Sequence, residues 1–278
     1  MKERISLTLD KNLVKKVDDL IDGTTIKNRS HAIEILTNKG LGSRIPQKAV
    51  ILCGGKGTRL RPFTLKTPKS LIKVQEKTLI EHLFDLLKKH GITNAILSVG
   101  YLKEKLKEFY KDGRDFGMNI DYVEEDEPLG TAGPLLLLKK ELTETFIVTN
   151  GDELKDINIE EMYAFHRQSR ALATIALTTV DDPSQYGVAR LQGSRILEFV
   201  EKPEKDKAPS KLINSGFYLL EPAVLDYIPE GFSMLEKDVF PRLAKEGKLF
   251  GYPFSGQWFD TGTMERYEHA KKEWRGLE

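Results

Sequence analysis

The stretch AVILCGGKGTRLRPFTLKTPKSL, Ala49 to Leu71, restricts the fold more than any other. An apolar run stops at two glycines, and a basic loop follows. A continuous apolar run closed by glycine reads as a strand buried on both faces, the kind found in sheets covered by helices on both sides. Lys56, Arg59, Arg61 and Lys69, set among Gly54, Gly55 and Gly57, predict an anion at that strand's C-terminal end. Small residues there let backbone N–H groups approach oxygen atoms closely. Two common phosphate loops are excluded. The G-x-x-x-x-G-K-[ST] spacing does not occur, and a G-x-G-x-x-G count started at Gly55 reaches Leu60 where glycine is needed.

Downstream, strand-like and helix-like patterns alternate. LIEHLFDLLKKHG predicts an amphipathic helix ending at Gly91, NAILSVG a strand, LKEKLKEFYKDG a helix and MNIDYV a strand. TAGPLLLLKKEL then predicts a helix and TFIVTNGD a strand. This rhythm implies an α/β fold with a mixed, mostly parallel sheet. From Ala171 the strands ATIALTT, YGVARL, ILEFVEKP and LINSGFYLL follow with fewer helices between them, predicting an antiparallel extension over the cleft.

The first 43 residues differ from the rest. Residues 1–45 carry nine Lys+Arg and six Asp+Glu, net +3, against net −2 for the remainder, although the whole chain is only +1. ERISLTL, residues 3–9, alternates strictly. Asp10 is placed to cap a helix with Leu13, Val14, Val17, Leu20 and Ile21 apolar, and Ser30 to cap a second with Ala32, Ile33, Ile35 and Leu36 apolar. SRIPQ, with Pro46, is a linker, giving domains 1–43 and 44–278. A strand and two helices are too small to bury a core alone. The order, with NRS opening the second helix, resembles the ribbon-helix-helix family, whose chains pair their strands into a ribbon that enters the DNA major groove. The resemblance implies a homodimer or higher even-numbered oligomer. By position it places Arg4, Ser6 and Thr8 toward bases and the amides near Ser30 on phosphate. A handle that only dimerises is the alternative, since +3 is a modest charge.

GGKGTRLRPFTLKTPKSL also resembles the signature of the sugar-phosphate nucleotidyltransferases. The likeness continues in order through EPLGTAGPL (127–135), NGD (150–152), YGV (186–188), FVEKP (199–203), INSGFYLL (213–220) and WFDTGT (258–263). It implies a Rossmann-like domain that joins an NTP to a sugar 1-phosphate, releases pyrophosphate and uses Mg²⁺. Asp152 and Asp260 are then the metal-binding pair. Gly54, Gly55, Gly57, Thr58, Arg59, Lys69, Gly130 and Thr131 hold the nucleotide, and Gly187, Glu201, Lys202 and Asn214 the sugar phosphate. Arg59, Lys69, Asp152 and Lys202 carry the catalysis. The residues agree with this on their own terms. Two carboxylates from separate strand ends suit Mg²⁺, which completes its shell with phosphate oxygens and water. A phosphate nucleophile is ionised at pH 7, so the reaction needs positioning and charge neutralisation, not a general base. A missing side chain at Gly187 would let backbone approach a ligand. Lys56 and Arg61 are weaker candidates, and Trp258 reads as core.

Counting back from Gly130, Glu125 is the residue placed to read the base, with Glu124 and Asp126 as neighbours in the count. Thymidylyl- and uridylyl-transferring relatives tend to have glutamine there. A carboxylate only accepts hydrogen bonds, which matches the paired N1–H and 2-amino donors of guanine and repels the carbonyls of thymine or uracil. The expectation is GTP with mannose 1-phosphate or a related hexose or heptose 1-phosphate. A glucose-1-phosphate thymidylyl- or uridylyltransferase, and a non-catalytic NDP-sugar sensor coupled to DNA, are the alternatives. Many mannose-1-phosphate enzymes add a C-terminal β-helix of hexapeptide repeats; with the sequence ending at Glu278, none is expected here, as in the short heptose relatives.

Cys53 is the single cysteine, which excludes an internal disulfide framework. It reads as structural, one residue from the loop, where alkylation could inactivate. No apolar stretch approaches the roughly 20 residues of a membrane span, and the N-terminus has no apolar core of a signal peptide, so the expected location is cytoplasmic.

Overall fold

The computed structural model describes residues 6–21, 26, 28–40 and 45–277. The chain divides into two compact units, Met1–Arg44 and Ile45–Glu278.

In the smaller unit, helix α1 spans Lys11–Asp18 and α2 spans Arg29–Gly40. Asp10 caps α1 as its position predicts, accepting the Asn12 N–H at 2.8 Å. At α2 the sequence reading is off by two residues. Asn28, not Ser30, accepts the His31 N–H at 3.0 Å, and Ser30 lies inside the first turn, exposed. Arg29 grips Asp18 through both Nε (2.8 Å) and Nη2 (2.7 Å), tying the helices together. Val17 and Ala32 are buried. The strand expected over 3–9 is not formed in its described part: residues 6–9 have no regular secondary structure, with Ser6 and Thr8 exposed. A strand needs a ladder partner, and residues 6–9 have none among the described residues. Arg4 lies outside the described residues.

The larger unit is built on one nine-stranded sheet. Its strands are β1 (Lys48–Leu52), β4 (Asn94–Val99), β5 (Asn119–Glu124), β6 (Phe146–Asn150), β8 (Ala173–Thr179), β9 (Gly187–Gln192), β10 (Arg195–Glu201), β11 (Leu212–Leu220) and β12 (Leu249–Pro253). Two short ribbons stand apart: β2 (Lys73–Val74) with β3 (Lys77–Thr78), and β7 (Glu153–Lys155) with β13 (Trp258–Asp260). The helices are α3 (Leu79–Lys89), α4 (Lys103–Tyr110), α5 (Gly133–Leu137), α6 (Ile159–Ser169), α7 (Phe240–Lys245) and α8 (Met264–Glu273). The sheet order is β5-β4-β1-β6-β11-β8-β12-β10-β9.

The α/β fold and mixed sheet are as predicted, but parallel pairing does not dominate throughout. β5, β4, β1 and β6 run parallel. β11 then pairs antiparallel with both β6 and β8, and beyond it only β8 with β12 is parallel. Hairpin connections such as β9–β10 replace crossover helices there, as the thinning of helices after Ala171 suggests.

Alternation along β1 explains the two-faced burial. Val50 joins the apolar cluster on one side with Phe146, Leu235 and Phe240; Ala49 and Ile51 join the other with Leu83, Phe84 and Phe217. Helix α3 starts on a capping box, Thr78 accepting the Glu81 N–H and Glu81 accepting that of Thr78. Its Ile80, Leu83, Phe84 and Leu87 face the sheet. This packing fixes where β1 and β6 end, and at those C-terminal ends an open α/β sheet binds its ligands.

Candidate active site

A cavity of about 440 Å³ opens at the C-terminal ends of β1 and β6. Gly54, Gly55, Gly57, Thr58, Arg59, Lys69, Glu125, Gly130, Thr131 and Asp152 all line it. The loop after β1 is not extended. It is folded as three single turns, Thr58–Leu60, Phe63–Leu65 and Lys69–Leu71. Gly57 makes this compaction feasible. Its φ is +59°, and a Cβ there would lie 2.8 Å from Thr64 Cγ2 and 3.3 Å from Lys69 Cβ. Thr64 Oγ1 donates to the Gly57 carbonyl at 2.7 Å and locks the fold of the loop. Lys56 and Arg61 are exposed and do not line the cavity.

Lys69 is buried, and its Nζ donates to Asp152 Oδ2 at 2.5 Å. Burial alone would raise the Asp152 pKa, but the charge and hydrogen bond of Lys69, then Lys155 and Arg59, hold it below the ordinary value. Beneath it, Lys155 has no exposed side-chain surface. It donates to Glu153 Oε2 (2.9 Å), Thr149 Oγ1 (3.2 Å) and the carbonyls of Ser215 (2.9 Å) and Gly216 (3.0 Å). A buried ammonium requires such partners. Glu153 also accepts from Asn150 Nδ2 (2.9 Å) and Trp258 Nε1 (3.3 Å), and burial pushes its pKa up. Trp258 is therefore half-buried and hydrogen-bonded, with Tyr186 edge-on at 5.5 Å, not the plain core residue its sequence suggests.

The β7–β13 ribbon brings Asp260 to this end of the sheet. Asp260 pairs in register with Glu153, and at the next position Thr261 Oγ1 donates to the Asp152 carbonyl at 2.7 Å. Asp260 Oδ2 accepts from Arg266 Nη1 (2.6 Å) and Tyr186 OH (3.3 Å), and Oδ1 from the Gly262 N–H (2.7 Å). Gly262, a cavity residue, separates Asp260 from Arg59: a Cβ on it would lie 2.8 Å from Asp260 Oδ1 and 3.0 Å from Arg59 Nη2. Both carboxylates are thus held close to the cavity with a cation on each. Among the described residues no cluster of three or more His, Cys, Asp and Glu forms a metal cage. Two hard oxygen donors do fit an ion that takes its other ligands from phosphate and water.

Of the three acidic neighbours only Glu125 lines the cavity. Glu124 pairs with Lys103 and Lys107 at the sheet edge, and the Asp126 side chain is fully in solvent. Glu125 is fixed by Ser98 Oγ donating to Oε1 (2.8 Å) and the Leu129 N–H donating to Oε2 (2.9 Å). A Cβ on Gly54 would meet Oε1 at 2.7 Å, so the glycine makes room for the carboxylate.

The other expected residues stand apart from the cavity lining. Gly187 faces Phe199 and Glu201, and a Cβ would collide with the Phe199 ring, so packing between β9 and β10 also requires the glycine. Glu201 is raised in pKa by burial and then by Glu236. Lys202 lies beside it, Nζ to Oε1 3.6 Å, in a left-handed conformation with φ +50°. Asn214 Nδ2 donates to Tyr218 OH (2.8 Å), which donates to Glu236 Oε1 (3.2 Å). Thr131 Oγ1 donates to Glu236 Oε2 at 2.6 Å, so a buried polar chain links the cavity loop to Asn214. GTAG does open a helix, α5, but the Ala132 N–H is already given to the Ser233 carbonyl at 3.0 Å. Ser70, Pro128, Phe232 and Gly262 also line the cavity and were not singled out by sequence. Gly262 and Pro128 lie inside quoted motifs; Ser70 follows Lys69; Phe232 carries no sequence signal.

The nucleotidyl transferase family model matches residues 48–275. Mannose-1-phosphate guanyltransferase beta-B of Xenopus laevis is 43% identical over 226 residues, 79% of this chain and 62% of the relative, so the chain spans less than two thirds of that protein's length. Among solved structures, a candidate glucose-1-phosphate thymidylyltransferase from Bacillus anthracis is 30% identical with a TM-score of 0.75, over 81% of this chain and 94% of its own. HddC from Yersinia pseudotuberculosis, complexed with GMP-PN, is 26% identical with a TM-score of 0.69, over 82% of this chain and 100% of its own. Among the described residues no helix is long and apolar enough to cross a membrane.

Proposed function

Because the chain belongs to the nucleotidyl transferase family, we propose that its larger unit transfers a guanylyl group from GTP to mannose 1-phosphate or a close hexose or heptose relative. The observation that carries this reading is one cavity lined both by the cations Arg59 and Lys69 and by the fixed Glu125 carboxylate. The relatives' names and the GMP-PN complex of HddC support the choice of guanine. Both Glu125 oxygens keep a free lone pair, which together suit the N1–H and 2-amino donors of guanine.

In the proposed reaction a phosphate oxygen of the sugar 1-phosphate forms a bond to the α-phosphorus as the bond to pyrophosphate breaks. No proton need move. Lys69 and Arg59 offset the charge gathering on the triphosphate, and Glu201, Lys202 and Asn214 place the sugar phosphate. Asp152 and Asp260 would hold Mg²⁺, which when bound shields the phosphates and orients them. Lys69 and Arg266 each occupy Oδ2 of its carboxylate, which leaves acceptor capacity on the Oδ1 atoms for that ion.

The smaller unit is proposed to pair two chains. The exposed Leu7, Leu13, Leu20 and Leu36 support a partner surface. DNA retention lost in Arg4→Ala would extend that role to nucleic acid.

The test is pyrophosphate release with Mg²⁺ across NTPs and hexose or heptose 1-phosphates. Turnover in a GTP row is expected. Turnover in a dTTP or UTP row alone overturns the Glu125 reading, and a folded protein inert in every row overturns the enzyme in favour of a sensor.

A further inference from the structure

Phe232 is the one aromatic residue among those lining the cavity, and it is 66% exposed. It pairs with no other aromatic ring among the described residues. What distinguishes Phe232 from the other exposed apolar side chains of the larger unit is that it lines this cavity, where its flat face is open to a ligand.

The ring is not on a loose tip. Ser233, next in sequence, is fully buried. Its N–H donates to the Leu129 carbonyl at 3.0 Å, and its carbonyl accepts the Ala132 N–H at 3.0 Å. Gly130 lies against that same carbonyl, with φ +81° and no room for a Cβ. On the far side the Met234 N–H donates to Asp238 Oδ2 at 2.7 Å. Leu129 in turn gives its N–H to Glu125. Glu125 and the neighbour of Phe232, Ser233, are therefore both tied to Leu129, and Glu125 and Phe232 both line the cavity.

We propose that Phe232 is the stacking surface for the nucleobase whose edge Glu125 reads. The inference rests on the reading of the cavity as a nucleotide site. It adds a face contact to an edge contact. The flat hydrophobic ring rewards a two-ring purine more than a one-ring pyrimidine, because more apolar area leaves water. Base selection would then come from two independent terms: donor pattern at Glu125 and ring size at Phe232.

The experiment is calorimetric titration of the full chain, wild type, Phe232→Ala and Phe232→Tyr, with GTP, UTP and pyrophosphate in the presence of Mg²⁺. Stacking on an aromatic side chain predicts GTP affinity about 10-fold weaker in Phe232→Ala, restored in Phe232→Tyr. Pyrophosphate, which has no base, should bind all three proteins alike, and UTP should lose less than GTP. Unchanged GTP affinity in Phe232→Ala while wild type binds GTP overturns the inference and leaves the nucleotide reading standing. Equal weakening of GTP and pyrophosphate also overturns it, since the residue would then only hold the loop. Wild type that binds none of the three overturns the nucleotide reading itself.

Discussion

The two units of this chain bury their apolar residues differently. In the larger one, sheet and helices close over two apolar clusters, and the exposed hydrophobics are scattered singly. In the smaller one, Val17 and Ala32 are the buried hydrophobic side chains among the described residues, while Leu7, Leu13, Leu20 and Leu36 stand 38–56% exposed. Similar hydrophobic periodicity yields a closed core in one case and, among the described residues, an exposed row of leucines in the other. A periodic apolar face says that something will be covered, not by what.

That contrast sets the order of the tests. The larger unit should be fragile at single atoms. Asp152→Asn keeps size and removes the charge beside Lys69, and pyrophosphate release is expected to fall about 10³-fold, with the fold intact by circular dichroism. Activity within a few-fold of wild type would remove Asp152 from the chemistry. Glu125→Gln should act on selectivity. Each good bidentate contact to a base edge is worth about 1–3 kcal/mol, so the ratio of GTP to UTP use should drop by about 10- to 100-fold in competition assays.

Cys53 gives a smaller, pH-dependent effect. Burial pushes its thiol up to about 12, with Ser70 pulling the other way. Native protein at pH 8 should resist iodoacetamide that labels it readily in urea, because the thiolate is the nucleophile. A thiol whose folded pKa is raised supports the fold fully below the unfolded value of about 8.5. That support fades as pH climbs toward 12, so Cys53→Ala should flatten the alkaline loss of stability in denaturant melts. Rapid native labelling would contradict the burial argument. The smallest kinetic effect is expected from deleting residues 1–43. Mass by light scattering should drop, while turnover per site stays unchanged; a changed turnover would mean the smaller unit serves the active site.

The glycine and cation loop was legible because its residues are adjacent in sequence and act together in space. Gly57, Arg59 and Lys69 reach the cavity through local turns alone. What escaped reading depends on distant partners. Phe199 crowds the expected Gly187, Glu153 holds Trp258, Arg266 grips the expected Asp260, and Phe232 belongs to a cavity it alone does not define. The predominance of parallel strands failed for a related reason. Strand direction at β11 is set by which neighbour it joins, and its sequence, LINSGFYLL, reads the same either way. Ser30 misled because Asn28 offers equal capping chemistry two residues earlier.

The hydrogen bond from Thr261 to the Asp152 carbonyl joins residues 109 apart. At about 5–20 residues per second of synthesis, the phosphate loop and Asp152 leave the ribosome roughly 5 to 20 s before the segment that delivers Asp260. During that interval the nascent chain has Asp152 but lacks Asp260 and the cavity residues Phe232 and Gly262. A ligand that needs both Asp152 and Asp260 can therefore be held only once nearly the whole chain has been made, so its binding reports a completed fold.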